Sequence, residues 1–225
     1  MPHSLQGIIF DVDGVIADTI ELHYRAWKRL TDEEDLPFDR AINERLRGLT
    51  RRDSINLLLN GREIGESTRT AWMTRKNAYY LDLLSHMTSA DLLPGVRTLL
   101  DEAASAGIPV GIGSASLNAH QVLKQVNLLD AFSVIGNPLN VVNNKPAPDL
   151  FLWVAGYMNV HPAYTLVIED GEAGIQAALT GGFKVLGVGE GPIAAAHITI
   201  PSLDQINLET ITSRLFESVV TGSNR

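Results

Sequence analysis

Short, wholly apolar, β-branched runs recur along this chain with helix-patterned segments between them. Residues 5–10, 108–113, 165–168, 183–188 and 196–200 read as strands, and 132–135 as a weaker one. Residues 96–106, 119–128, 149–158 and 172–179 have helical period, with Gly107 and Gly181 standing where helices should stop. Strands that are apolar throughout are buried on both faces, which requires a parallel sheet with helices above and below it. The expectation is a Rossmann-like, three-layer α/β core.

One block breaks the alternation. Residues 20–31, 40–46, 51–59 and 67–84 are all helical in pattern, with no credible strand among them. Asp18 with Glu21, and Thr50 with Asp53, have the spacing of capping boxes. We expect residues 1–16 plus 91–225 to form the core and 17–90 a helical cap inserted after the first strand. Open α/β sheets bind ligands beyond the carboxyl ends of their strands, so such a cap would lie over the site.

Composition removes several alternatives. With 18 Lys and Arg against 26 Asp and Glu, the net charge of −8 leaves no basic surplus for a phosphate backbone, so no nucleic-acid partner is expected. There is no Cys, which excludes disulfides and thiolate chemistry. No apolar stretch reaches the ~18 residues that a membrane helix needs. The expectation is a cytoplasmic, monomeric protein with no membrane partner.

Chemistry concentrates where the strands end. The first strand runs into Asp11-Val12-Asp13-Gly14, two carboxylates that face the same way if strand geometry persists. A surface turn explains Asp13-Gly14 but not an acid closing a buried strand. The second strand runs into Ser114-Ala115-Ser116, followed by Leu117-Asn118 at a helix start. The strand at 165–168 ends in Glu169-Asp170-Gly171, and Lys145 sits in a loop stiffened by Pro146 and Pro148. Singly, the serines could be N-caps and the lysine a solvated turn residue. Together they put carboxylates, hydroxyls and an ammonium at one sheet edge. Asp11, Asp170 and Glu169 offer hard oxygen ligands suited to Mg²⁺. Mg²⁺, Lys145 and the Ser114 hydroxyl would neutralise a transferring phosphoryl group. Asp11 could then be a nucleophile, and the second carboxylate a general acid and base.

The Asp-x-Asp-Gly segment, the Ser-Ala-Ser strand end, the Lys-Pro loop and the Glu-Asp pair, in this order, resemble the four motifs of the haloacid dehalogenase superfamily. A helical insertion after the first motif is that superfamily's small cap type. The resemblance extends through His23 and Trp27, Leu46–Ser54, Arg75-Lys76-Asn77 and Lys145–Asp149 to that superfamily's sugar-phosphate mutases. It thins after about residue 190.

The resemblance implies roles. Asp11 would be the nucleophile and Asp13 the acid/base. One Mg²⁺ would be held by Asp11, the Asp13 carbonyl and Asp170, with Glu169 nearby. Ser114 and Lys145 would bind the transferring phosphate. Arg51, Ser116 and Asn118 would grip the second phosphate of a bisphosphate intermediate. His23 and Thr19 would position Asp13, while Trp27, Gly48, Leu49, Ser54, Lys76 and Ala115 would line the substrate pocket. The implied reaction interconverts β-D-glucose 1-phosphate and glucose 6-phosphate, with glucose 1,6-bisphosphate as activator and intermediate.

On pattern alone, His23 is as well read as a packed helical residue, and Lys76 as a solvated one. Arg51 and Arg52 at a helix start oppose the macrodipole, which favours an anion-binding role. The mutases this chain resembles have a lysine after Ser-Ala-Ser where it has Leu117; the lost charge-assisted hydrogen bond is worth ~1.5–3 kcal/mol. Arg47 or Arg51 could compensate. A sugar-phosphate phosphatase of the same superfamily would use the same Asp11 and Asp13. A non-catalytic phospho-acceptor switch is a remoter reading that leaves the helical insertion unexplained. Gly187–Gly191 superficially suggests a dinucleotide loop, but no helix of proper length follows it.

Overall fold

The computed structural model describes residues 4–191 and 193–216. Six parallel strands form one sheet: β1 (Gly7–Phe10), β2 (Val110–Gly113), β3 (Val134–Gly136), β4 (Thr165–Glu169), β5 (Lys184–Val188) and β6 (Ile198–Ile200). Their order is β3-β2-β1-β4-β5-β6, so the chain reverses its direction of winding between β1 and β4. A crevice opens at that reversal, beyond the carboxyl ends of the strands.

The helices are α1 (Ile20–Glu33), α2 (Arg40–Glu44), α3 (Arg51–Leu59), α4 (Glu66–Leu84), α5 (Val96–Ser105), α6 (Ala119–Gln125), α7 (Asp149–Tyr157), α8 (Glu172–Thr180) and α9 (Leu208–Leu215). Apolar side chains leave β1 on both faces: Ile8 and Phe10 join one core with Leu99, Val122 and Leu166. Ile9 joins the other, with Phe151, Val154, Ile175 and Val185. Both faces are therefore covered, as the continuous apolar runs required. A third cluster, of Trp27, Leu30, Leu46, Ile55, Leu58, Leu59 and Trp72, gives α1–α4 an apolar centre of their own.

Several local expectations shift. β1 begins at Gly7 rather than at residue 5, β6 at Ile198 rather than 196, and the weak strand slides to Val134–Gly136. The capping box at Asp18 and Glu21 does not form: Thr19 takes the N-cap position of α1, and Glu21 turns outward to Arg40. At α3 the box is half realised. The Thr50 hydroxyl accepts from the Asp53 N–H at 3.2 Å, while the Asp53 carboxylate accepts from the Thr50 hydroxyl rather than from the Thr50 N–H. α9 is not among the expected helices, although Leu208, Ile211 and Leu215 lie at helical spacing.

Candidate active site

Register explains why the acids meet. Phe10 lies level with Ile112 of β2 and Ile168 of β4, so Asp11, one residue on, emerges beside Gly113 and Glu169. Asp11, Glu169 and Asp170 are buried, and one carboxylate oxygen of each lies within 4.8 Å of the others. Lys145 Nζ enters from the loop after β3, donating to Asp11 Oδ1 at 2.7 Å and to Glu169 Oε1 at 2.5 Å. Glu169 Oε2 accepts the N–H groups of Asp170 and Gly171, both at 2.9 Å. Glycine is required here for space. A Cβ on Gly174 would sit 1.7 Å from Glu169 Oε1, and one on Gly14, where φ is +79°, 2.1 Å from Asp170 Oδ2.

Asp13 belongs to a different network. The strand ends at Phe10, so alternation no longer governs its side chain, and it is not part of the acidic cluster. Its Oδ1 accepts from the Thr19 hydroxyl at 2.5 Å and from the Tyr80 hydroxyl at 3.5 Å. His23 Nε2 is 3.4 Å away, buried and without an aligned hydrogen bond. Lys76 is not solvated but 2 % exposed, between the rings of Trp27 and Tyr80. Its Nζ lies 2.8 Å from His23 Nδ1. If Lys76 donates to Nδ1, the imidazole proton lies on Nε2, on the side of the ring 3.4 Å from Asp13 Oδ1.

The two aspartates are tuned in opposite directions. Burial, with Glu169 and Asp13 adding to it against Lys145, raises Asp11 to about 7. Burial also pushes Asp13 up, but His23, Thr19 and Lys76 outweigh it and hold the carboxyl at about 2. Burial and the neighbouring Glu169 lift Asp170 well above the usual carboxylate range, and Arg47 only partly opposes them. Burial and Lys76 push His23 down. Burial, with Arg51, lowers Lys76 well below an ordinary lysine.

A cavity of about 440 Å³ joins these groups, large enough for a small phosphorylated ligand. Asp11, Asp13, His23, Trp27, Gly48, Leu49, Arg51, Ser54, Lys76, Ala115, Ser116 and Asp170 line it. Thr19, Ser114, Asn118, Lys145 and Glu169 are buried immediately behind. The serines are not N-caps of α6, which starts at Ala119. The Ser114 oxygen accepts the Ser116 N–H and the Ser116 oxygen the Asn118 N–H, each at 3.1 Å, and among the described residues neither hydroxyl proton has an acceptor. Arg47 cannot make up for Leu117: its Nη2 lies 3.0 Å from Asp170 and its Nη1 2.9 Å from Glu44. Arg51 has no acidic partner among the described residues.

Tyr80, Met73 and Leu139, at or around the cavity, are not among the residues the sequence points to, and Asn77 stands there only within the Arg75-Lys76-Asn77 motif, with no role. Gly189–Gly191 forms part of the turn between β5 and β6, where a Cβ on Gly191 would meet Arg47 at 2.8 Å; it is no dinucleotide loop.

Residues 8–188 match the haloacid dehalogenase-like hydrolase family. The chain is 39% identical over 212 residues to the β-phosphoglucomutase of Bacillus subtilis (strain 168), covering 92% of this chain and 94% of that one. It is 28% identical over 182 residues to a phosphorylated carbohydrates phosphatase of Thermotoga maritima, covering 80% and 83%. A crystal structure of β-phosphoglucomutase from Clostridium difficile superimposes with a TM-score of 0.90 at 35% identity, over 94% of this chain and 97% of that chain. A parallel-sheet core with an inserted helical cap, the four strand-end motifs in their order, and these matches place the chain in the haloacid dehalogenase-like hydrolase family.

Proposed function

We propose that this chain is a β-phosphoglucomutase, passing a phosphoryl group between C1 and C6 of glucose through an aspartyl phosphate on Asp11 and a bound β-glucose 1,6-bisphosphate. The observation that carries this reading is Arg51. It is a half-buried guanidinium lining the same cavity as Asp11 and Ser116, with no acidic partner among the described residues. A second anion site has little use in an enzyme that only hydrolyses a monophosphate. The strong likeness to β-phosphoglucomutases supports it.

The donor set fits Mg²⁺. The buried cluster carries more negative charge than Lys145 and Arg47 balance, and its oxygens suit a hard cation. Asp11, the Asp13 carbonyl and Asp170 would hold the ion. Glu169, whose oxygens are already occupied, would fix Lys145 and the loop. When bound, Mg²⁺ supplies charge neutralisation for the phosphoryl oxygens.

The chain's own residues divide the rest. Starting from phosphorylated Asp11, the C6 hydroxyl oxygen attacks phosphorus and the bond to the Asp11 oxygen breaks. Asp13, ionised because its pKa is held low, takes the hydroxyl proton. After the bisphosphate reorients, Asp11 attacks the C1 phosphate and Asp13 returns that same proton to the departing C1 oxygen. Asp13 thus acts as an acid without titrating from bulk water. Lys145 and Ser114 hold the transferring phosphate, while Arg51, Ser116 and Asn118 hold the other. Because Thr19, His23 and Tyr80 from the cap set Asp13, its base is aligned when the cap covers the cavity and bulk water is kept out.

A sugar-phosphate phosphatase is the second reading, favoured by the phosphatase relatives and by Leu117. Anomer-resolved ³¹P NMR separates the two. With Mg²⁺ and a trace of bisphosphate, β-glucose 1-phosphate should become glucose 6-phosphate faster than inorganic phosphate appears, and the α-anomer should not react. Phosphate release outpacing isomerisation overturns the mutase. Small sugar phosphates are the proposed partners, with the protein working as a cytoplasmic monomer without nucleic acid or membrane. Among the described residues no helix is long and apolar enough to cross a membrane.

Metal binding should also release protons. With Asp11 at about 7, half of the metal-free molecules carry its proton at pH 7, and binding a cation requires the carboxylate. Mg²⁺ titrations at pH 7 in buffers of different ionisation enthalpy should show about half a proton or more released per ion, and affinity should weaken as pH falls from 8 to 6. An enthalpy independent of buffer would show that the cluster does not take the ion through Asp11.

A further inference from the structure

The mechanism above leaves Asn77 unused. It lies on α4, next to Lys76, and its Oδ1 accepts from Arg51 Nη2 at 2.6 Å and from Asn118 Nδ2 at 2.9 Å. A guanidinium can only donate, so the atom facing Arg51 must be the oxygen, and Asn118 must present its NH₂. Arg51 and Asn77 come from cap helices, whereas Asn118 is a buried residue beyond β2 of the core. One neutral oxygen therefore joins Arg51, a cap cation with no acidic partner among the described residues, to the core.

The neutrality is the informative part. Arg40, Arg47, Arg52 and Arg75 each lie against a carboxylate. Arg51, the arginine on the cavity without an acid partner, is held by an amide instead. An aspartate at 77 would have nearly the same shape, accept the same two hydrogen bonds and pair more strongly with Arg51. It would also cancel the charge that attracts an anion.

We propose that Asn77 is a positioning residue, aiming Arg51 into the cavity and clasping it to Asn118 without neutralising it, so that a second phosphate group can bind as the cap closes. The proposal rests on reading Arg51, Ser116 and Asn118 as the grip on that phosphate.

The test is calorimetric titration of glucose 1,6-bisphosphate, with Mg²⁺, into protein carrying Asp11→Asn so that no transfer occurs. That parent is compared with the same protein bearing Asn77→Asp or Asn77→Ala. Adding one negative charge beside Arg51 should weaken binding roughly ten- to a hundredfold. Removing the amide should cost only a few-fold, since Arg51 keeps its charge but loses its aim. A purely structural clasp predicts the reverse order, with the near-isosteric aspartate the milder change. Binding of the Asp variant within threefold of the parent, or an Ala variant weaker than the Asp variant, overturns the proposal. Should the Asp variant not fold, Asn77→Ala on the active enzyme decides: KM for β-glucose 1-phosphate rising several-fold with kcat within about twofold supports the role, and the opposite split overturns it. A parent that binds no bisphosphate sinks the mutase reading and this proposal together. A parent that binds it, with the Asp variant unaffected, sinks only the role of Asn77.

Discussion

Asp11→Asn is expected to lower turnover at least about 10⁴-fold, the scale on which enzymes lose a covalent nucleophile. The amide keeps the shape and can still accept from Lys145, but it cannot form an acyl phosphate that later releases. The same change should leave the metal-free protein folded and raise its melting temperature. The sign follows from the shift. Asp11 has a folded pKa raised from 3.8 to about 7, so its ionisation opposes folding, and that cost is complete above pH 7. Removing the charge removes the cost. Lys145 keeps Glu169 as a partner, so no buried cation is stranded. Steady-state assays, acid-quench detection of the acyl phosphate, and melting curves in EDTA at pH 8 test both halves. A variant at wild-type speed would end the aspartyl-phosphate scheme. A variant less stable than its parent in EDTA would show that burial does not penalise Asp11 as described.

The strand-end residues could be read from the sequence because parallel strands buried on both faces leave unbroken apolar runs, against which Asp11, Ser114 and Glu169-Asp170 stand out. The fold class follows from the same runs. Lys76 was harder. α4 mixes polar and apolar residues around its whole circumference, so a lysine facing an enclosed cavity has the same local pattern as one facing water. Tyr80 and the role of Asn77 are hidden for that reason, and only contacts distant in sequence separate these residues from their neighbours. Arg51 stands out in the sequence at a helix start, where it opposes the macrodipole, but nothing in the sequence says whether Arg47 is also available for an anion. Three-dimensional pairing distinguishes them, since Asp170 and Glu44 claim Arg47 and, among the described residues, nothing acidic claims Arg51. Asp13 shows the limit of periodicity: two acids spaced by two share a face only while the strand lasts, and this one ends at Phe10. α9 carried two signals: Asn207, whose side chain accepts from the Thr210 N–H at 2.9 Å, and Leu208, Ile211 and Leu215 at i, i+3 and i+7. Its threonine- and serine-rich interior obscured the apolar stripe.

The second large effect is expected at Lys145, and it should be felt in stability as well as rate. The side chain is fully buried, held by two carboxylates and lying 4.7 Å from the Phe151 ring centroid. Burial alone would lower its pKa, but Asp11 and Glu169 outweigh burial and raise it, so it stays charged. Lys145→Ala removes the cation and leaves two buried acids facing each other. Breaking a buried pair from one side costs about 3–5 kcal/mol, and the phosphoryl group loses a positive neighbour, lowering turnover about 10³-fold. The stability loss should depend on pH in a defined direction. Lys145 is the main influence holding Asp11 down, so without it the Asp11 pKa climbs further above 7. At pH 6 the variant can relieve itself by protonating Asp11; at pH 8.5 it does so less completely. Denaturant unfolding in EDTA should therefore find a larger gap between wild type and variant at pH 8.5 than at pH 6. Mg²⁺ should narrow that gap at the higher pH by supplying the missing charge. A gap that is constant with pH and untouched by Mg²⁺ would mean that Lys145 fills space at this sheet edge and does not balance the acids around it.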